Sequence, residues 1–141
     1  MKVYADTSFF VSIYIKDSHS KTADQLLSSG ARPWFTPLHS AEWAHAVAQQ
    51  VFWGAMSAAD AQQVYRDLAN DLAAGLWVEV DLPENSFDLC ADLGRRYGPK
   101  LGVRTLDSLH VACAVEFKAE RFWTFDDRQA KLAKAEGLKT S

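Results

Sequence analysis

The sequence predicts an α/β fold in which short parallel strands alternate with helices. With 141 residues the chain has the size of one domain, and its 48% hydrophobic and 23% charged residues are ordinary for a globular protein. Short β-like runs are separated by segments of helical pattern, with no internal repeat and no long linker. Such an alternation is typical of a parallel sheet with helices on both faces. We therefore expect a single domain over residues 1–141.

The N-terminal segment predicts one strand followed by two helices. The run Lys2–Ala5 is β-like, and the apolar segment 8–15 fits either a strand or a helix by its pattern alone. The helix is favoured because residues 6–8, Asp-Thr-Ser, are all good N-cap types. Residues 18–29 then predict a helix with a polar face, which Gly30 closes.

Capping signals define the two helices in the middle of the chain. Residues 33–37 form a brief extended piece whose Thr-Pro end supplies an N-cap and a first helical residue. The helix that follows covers residues 37–53 and stops at Gly54. A Ser three residues before an Asp opens the second helix, over residues 57–74, which stops at Gly75.

The C-terminal half predicts strands and helices in alternation. They are a strand at 76–80, helices at 83–97 and 105–117, a strand at 121–125, a helix at 126–137 and a strand at 138–141. Pro83 opens the first of these helices, and Gly98-Pro99 is expected to end it.

The charge of the chain is divided unevenly between its two ends. The net charge is −3, which by itself argues against a nucleic-acid partner. Residues 1–94 carry five basic and twelve acidic side chains, whereas residues 95–141 carry ten basic and six acidic ones. The C-terminal third therefore supplies a basic surface if its cationic side chains share a face.

Neither membrane insertion nor export is predicted. The longest apolar runs are short and interrupted by polar residues, so none of them fits a membrane span. Asp6 lies where a signal peptide needs an uncharged apolar stretch. The two cysteines, Cys90 and Cys113, do not make a disulfide framework, and their apolar helical surroundings predict core residues rather than nucleophiles. We expect a cytoplasmic protein.

Four acidic residues stand at strand ends or within apolar helices. Asp6 ends the first strand and Asp126 follows strand 121–125, while Glu42 and Asp107 lie in helices otherwise rich in apolar residues. Each alone is explained by capping, by the helix dipole or by a surface position. Ligands bind at the carboxyl ends of open α/β sheets, and four converging carboxylates cannot all stay ionised without a cation. Oxygen ligands predict Mg²⁺ or Mn²⁺ in preference to Zn²⁺.

Four motifs carry a resemblance to a known family. They are KVYADTS at residues 2–8, SAEW at 40–43, RTLDSLHVA at 104–112 and WTFDDRQ at 123–129. None is specific alone. Taken in this order and at this spacing over the whole chain, they resemble PIN-domain ribonucleases, above all the VapC-type toxins of bacterial toxin–antitoxin pairs.

The resemblance implies a fold, a reaction and a metal site. The fold would be a PIN-like three-layer α/β/α sandwich around a parallel sheet of about five strands. The catalytic and metal-binding residues would be four acids that match the family's acidic cluster: Asp6, Glu42, Asp107 and Asp126. They would hold one or two Mg²⁺ or Mn²⁺ ions, and a metal-activated water would hydrolyse RNA phosphodiester bonds, leaving a 5′-phosphate and a 3′-hydroxyl.

Supporting roles are implied for neighbouring residues. Thr7, Ser8 and Thr124 match positions whose hydroxyls would orient carboxylates or water, although helix capping explains Thr7 equally well. Asp127 would replace or assist the fourth acid, or merely begin the last helix. Arg104 would bind a substrate phosphate or hold a neighbouring carboxylate.

The family also implies partners, and two other functions compete with it. The partners would be tRNA, rRNA or mRNA, a VapB-type antitoxin, and a second copy of the chain in a homodimer. The main alternative is a PIN-like module that binds RNA or a partner without catalysis. A phosphatase of the haloacid-dehalogenase type is disfavoured because residues 6–9 lack the second Asp of a DxDxT motif. A zinc site is disfavoured because His39 and His45 do not have the HExxH spacing around Glu42.

Overall fold

Seven helices and five short strands form the chain in a computed structural model that describes residues 1–141. In order they are β1 (Val3–Ala5), α1 (Thr7–Tyr14), α2 (Ser20–Leu27), β2 (Trp34–Phe35), α3 (Pro37–Phe52), α4 (Ala58–Ala73), β3 (Val78–Glu79), α5 (Ser86–Leu101), α6 (Thr105–Glu116), β4 (Arg121–Trp123), α7 (Asp127–Ala135) and β5 (Lys139–Thr140). Every strand pairing is parallel, as the alternation of strands and helices predicts.

The chain divides into two compact units. The central unit is Thr7–Asp81, and the terminal unit combines Met1–Asp6 with Leu82–Ser141. None of the helices is both long enough and apolar enough to cross a membrane.

The terminal unit is built on a three-stranded sheet with the order β1-β4-β5. Tyr4 pairs with Phe122 across the β1–β4 ladder, and their rings stack with centroids 5.6 Å apart. Both side chains are fully buried, and the aromatic residues in β-strands favour this pairing. The strand–helix–strand unit β4-α7-β5 completes the sheet, because a parallel neighbour needs a crossover connection.

The central unit has a two-stranded sheet and an aromatic core. Strands β2 and β3 pair at Trp34↔Val78 and Phe35↔Glu79. The ring of Phe10 makes edge-to-face contacts with Phe35 and Trp77, each with centroids 5.1 Å apart. Such contacts contribute about 0.5–1.5 kcal/mol each beyond burial.

The number of strands agrees with the prediction, but their grouping differs from a single sheet of about five. The structure has three strands in one sheet and two in another. Strands β2 and β3 are only two residues long and exchange bonds mainly with each other. A strand of that length offers few backbone groups for a second neighbour, so its ladder stops at one partner.

The predicted end of the helix at Gly98-Pro99 is wrong. Helix α5 contains Pro99 and continues to Leu101, and it ends at Gly102, whose φ of +64° is left-handed. A proline disfavours helical backbone in the preceding residue, because its Cδ clashes with that residue's N–H and Cβ. Gly98 has no Cβ, so the helix passes through the proline and stops at the next glycine that adopts the left-handed conformation.

Three of the predicted capping residues are confirmed. The side chains of Thr36, Ser57 and Asp126 each accept a hydrogen bond from the backbone N–H three residues later. His39 completes the first cap, because its Nδ1 accepts from the N–H of Thr36 at 3.0 Å. His39 is fully buried there and serves the helix terminus, so a structural role accounts for it.

Candidate active site

Asp6 lies at the carboxyl end of β1, where the parallel sheet of the terminal unit ends. Its N–H donates to the carbonyl of Trp123 at 3.0 Å, which extends the β1–β4 ladder by one residue. The side chain of Asp6 is only 5% exposed. The Oγ1 of Thr124, just after β4, donates to Asp6 Oδ2 at 2.6 Å. A hydrogen bond to a carboxylate is strong at this length, so Thr124 fixes the orientation of Asp6.

Thr124 connects Asp6 to the start of the last helix. Its Oγ1 accepts from the N–H of Asp126 at 3.0 Å and lies 2.9 Å from Gln129 Oε1. A threonine hydroxyl has one proton, and Asp6 Oδ2 at the shorter distance is the better placed acceptor. Thr124 is therefore placed to orient Asp6, and the supporting role that the resemblance implies for it stays a prediction.

Asp126 is the N-cap of α7. Its Oδ1 accepts from the N–H of Gln129 at 2.8 Å, while its Oδ2 accepts no hydrogen bond. Asp127 is the first residue of α7. Both acids are exposed, but the side chain of Asp127 makes no hydrogen bond or ion pair. The structure thus connects Asp126, and not Asp127, to Thr124 and its neighbours.

Asp107 lies in the first turn of α6, with its side chain 27% exposed. Arg104 approaches it with Nε 3.9 Å from Asp107 Oδ2, and the arginine side chain is 87% exposed. An ion pair that long and that exposed contributes little, so Arg104 remains available for another anion.

Gln129 is a functional candidate that sequence reasoning missed. It is 2% exposed, and its Nε2 donates to the carbonyl of Asp107 at 3.2 Å. Together with its contacts to Thr124 and Asp126, this bond ties the first turn of α6 to the first turn of α7. The available signal is spacing: Gln129 occupies the buried stripe of α7 with Leu132 and Ala133, where an apolar residue is the usual choice.

Glu42 and Thr7 form a pair within the central unit. Thr7 is the first residue of α1, and its Oγ1 donates to Glu42 Oε1 at 2.7 Å. Thr7 is buried and Glu42 is half-buried in α3. Thr7 is thus placed to orient the Glu42 carboxylate, and Ser8 next to it is exposed. The supporting roles of both residues stay predictions.

The donor chemistry suits a hard cation, although no ligand cluster is formed. Asp6, Asp107 and Asp126 in the terminal unit and Glu42 in the central unit all offer carboxylate oxygens, which Mg²⁺ and Mn²⁺ prefer. The structure contains no group of three or more His, Cys, Asp or Glu side chains placed to hold a metal together. The four-carboxylate metal site therefore stays a prediction.

The remaining polar candidates have structural roles. The hydroxyl of Tyr4 and Nδ1 of His110 share a buried hydrogen bond of 2.7 Å, which engages the histidine that follows Asp107 by one turn. Burial raises the pKa of the Cys90 and Cys113 thiols above the ordinary value. A raised pKa lowers the thiolate fraction, in agreement with the predicted core role of both cysteines.

Comparison with known proteins gives one family and several solved structures of similar fold. The family model described as the PIN domain matches residues 3–135. No curated protein matches the chain in sequence. Among solved structures, the chain is similar to VapC20 of Mycobacterium tuberculosis, described as a sarcin–ricin loop cleaving toxin. That match has a TM-score of 0.71, 14% identity, and covers 96% of this chain and 95% of that one.

Two further structures resemble the chain over its whole length. FitAcB from Neisseria gonorrhoeae matches with a TM-score of 0.73 and 14% identity, over 98% of this chain and 95% of that one. VapBC2 from Rickettsia felis, bound to a DNA fragment from its promoter, matches with a TM-score of 0.68 and 16% identity, over 100% and 98%. At these identities the likeness shows a shared fold.

Proposed function

This chain belongs to the PIN-domain family, and we propose on that premise that it is a metal-dependent endoribonuclease, the toxin of a VapBC-type toxin–antitoxin pair. One observation carries the proposal. Asp6 is buried at the end of β1, and Thr124 at the end of β4 joins it to Asp126 by hydrogen bonds of 2.6 and 3.0 Å. Carboxylates at the carboxyl ends of adjacent parallel strands lie where α/β folds bind ligands.

The similar structures support the choice of RNA and of an antitoxin. VapC20 is described as cleaving the sarcin–ricin loop, and VapBC2 was solved on its promoter DNA. We extend these descriptions to the present chain as a proposal: its substrate is tRNA, rRNA or mRNA, its inhibitor is a VapB-type antitoxin, and it acts in the cytoplasm as a homodimer.

Each residue around the candidate site has its own proposed role toward the cation or the phosphate. We propose that Asp6, Asp107 and Asp126, with Glu42 as the fourth acid, hold Mg²⁺ or Mn²⁺, which supplies phosphate neutralisation and water activation when bound. Thr124 keeps Asp6 in one orientation. Because Asp126 Oδ1 caps α7, its other oxygen, Oδ2, is the atom that would bind the cation. The exposed guanidinium of Arg104, beside Asp107, is placed to bind a phosphate of the strand.

The decisive experiment is cleavage of total tRNA and rRNA by the purified chain, freed of antitoxin. Reactions contain Mg²⁺, Mn²⁺ or EDTA, and products are resolved by sequencing gel with end-group analysis. We expect discrete fragments with 5′-phosphates in both metals and none in EDTA. Equal cleavage in EDTA contradicts a metal-dependent enzyme. Binding without any cleavage favours the alternative, a PIN-like binding module.

Paired variants at the start of α7 test which acid serves the site. Asp126→Asn is expected to lower cleavage at least about tenfold, because a neutral amide is a poor ligand for a hard cation. Its fold is expected to persist, since Asn caps helices as well as Asp does. Asp127→Asn is the matched control and is expected to cleave at the wild-type rate. The measurement is the initial rate of RNA cleavage at saturating metal. A slow Asp127→Asn beside an unchanged Asp126→Asn would assign the role to Asp127.

A further inference from the structure

A cavity of about 330 Å³ lies in the terminal unit between α5 and the start of α6. Its lining includes Phe87, Gly94, Arg104 and Ser108. This volume is at the lower end of the range of about 300–1,000 Å³ for small-ligand sites. The cavity is large enough for a flat ring and too small for a large ligand, so its polar groups decide what it accepts.

Ser108 gives the cavity a hydrogen-bonding group without a partner. The residue is 2% exposed, and its Oγ has no hydrogen-bond partner in the structure. An unpaired buried hydroxyl is costly, and each one in a native fold calls for an explanation. A polar atom of a ligand in the cavity would satisfy it as either donor or acceptor.

The entrance on the α6 side is cationic. Arg104 is the N-cap of the twelve-residue helix α6, and its side chain makes no capping hydrogen bond. The free N–H groups and dipole of that terminus favour an anion, and the guanidinium is 87% exposed beside them. Arg104 also lies 3.9 Å from Asp107, so this entrance adjoins the proposed active site.

The other wall of the cavity is apolar and open. Phe87 lines it and is 62% exposed, which leaves an aromatic face free for stacking. Gly94 has no side chain, and a Cβ built on it meets no atom within 4 Å. A ring therefore has room beside Gly94 and an aromatic surface in Phe87.

We propose that this cavity holds one base of the RNA strand, next to the bond that is cut. The base lies in the cavity with its edge at Ser108, and its phosphate lies against Arg104 and the first turn of α6. A nucleotide combines the three required properties: an apolar flat ring, hydrogen-bonding edge atoms and an adjacent anion. This inference rests on the proposed ribonuclease function, and it makes the cavity the part of the chain that selects the base.

The test compares RNA binding by a variant that fills the cavity and a variant that removes its hydroxyl group. All proteins carry Asp6→Asn to prevent cleavage, and the probes are short fluorescent oligo(A), oligo(C), oligo(G) and oligo(U). Gly94→Leu fills the cavity, and we expect it to weaken binding of the preferred homopolymer about tenfold or more. Ser108→Ala is expected to reduce the differences in affinity among the four homopolymers. Ala59→Leu, on the exposed side of α4, is the matched control and should bind like the parent.

Abasic substitution shows whether a base enters the cavity. An abasic site is moved through the preferred oligonucleotide. We expect one position at which the abasic site weakens binding to the parent protein. At that position it should not weaken binding to the Gly94→Leu variant any further. Both variants should fold, because Gly94 lies in open space within a helix and the Ser108 hydroxyl has no partner to lose. Melting curves check this.

The outcomes separate this inference from the proposed function. If the wild-type chain cleaves RNA but Gly94→Leu binds RNA like the Ala59→Leu control, both in the Asp6→Asn background, the cavity does not bind a base and the nuclease stands. A flat abasic profile with weakened Gly94→Leu binding also overturns the inference, because the cavity then accepts something other than a base. If the wild-type chain neither binds nor cleaves RNA, the inference and the proposed function both fail.

Discussion

Replacing Asp6 by Asn is expected to lower RNA cleavage by about a thousandfold or more, equivalent to about 4 kcal/mol of transition-state stabilisation. Asp6 is 5% exposed, and Thr124 holds it by a hydrogen bond of 2.6 Å, so its carboxylate is fixed at the end of β1. Asn is nearly the same size and still accepts the Thr124 hydrogen bond. The fold should therefore persist while one negative charge is lost.

Binding of RNA by Asp6→Asn is expected to stay the same or to rise. The lost carboxylate repels the phosphates of the strand when no cation lies between them. The same charge would help to bind the cation, so the variant should also lose the response of its melting temperature to Mn²⁺. A cation at ten times its Kd stabilises the folded state by about 1.4 kcal/mol, which raises the melting temperature by a few degrees.

The matched control for Asp6→Asn is Asp24→Asn, an exposed acid on α2 with no side-chain hydrogen bond. It should cleave RNA and respond to Mn²⁺ like the wild-type chain. Retained turnover in Asp6→Asn would remove Asp6 from the site. If RNA binding and toxicity both persist in the variant without cleavage, the non-catalytic binding module becomes the better account.

Local signals in the sequence were sufficient for most of the fold. The Thr36-Pro37 start of α3, the Ser57 start of α4 and the glycine after α7 each depend on groups within a few residues, so pattern alone finds them. The end of α5 was missed because a proline is an ambiguous stop: whether the helix continues depends on the residue before it, here Gly98. The grouping of strands depends on long-range pairing, which a local pattern does not contain.

The candidate site could be predicted from the sequence where the chemistry of a residue is enough to identify it. Asp6 and Asp126 stand at strand ends in the sequence, and the structure joins both to Thr124. Gln129 was not predictable in this way, because its amide reaches Asp107, 22 residues earlier in the chain. The unpaired hydroxyl of Ser108 gives no sequence signal either, since burial without a partner is known only from three-dimensional packing.

Thr124→Val is expected to destabilise the fold and to lower cleavage about 10–100-fold, as loss of a residue that orients a ligand typically does. The valine keeps the shape but removes Oγ1, which takes away the donor to Asp6 Oδ2 and the acceptor of the Asp126 N–H. Removing one partner of a buried hydrogen bond lowers the free energy of unfolding by about 1–3 kcal/mol, which lowers the melting temperature by several degrees. Thr124→Ser keeps the hydroxyl and should restore most of both properties.

A purely structural role for Thr124 would lower stability without changing how the site responds to metal. We expect instead that Thr124→Val needs more Mn²⁺ for half-maximal cleavage, because a poorly oriented Asp6 binds the cation more weakly. Thr140→Val is the matched control: Thr140 is half-buried in β5, and its hydroxyl makes no hydrogen bond. It should shift neither the Mn²⁺ titration nor the rate. An unchanged Mn²⁺ midpoint in Thr124→Val, measured where the variant is fully folded, would mean that Thr124 supports the sheet end and does not position Asp6 for catalysis.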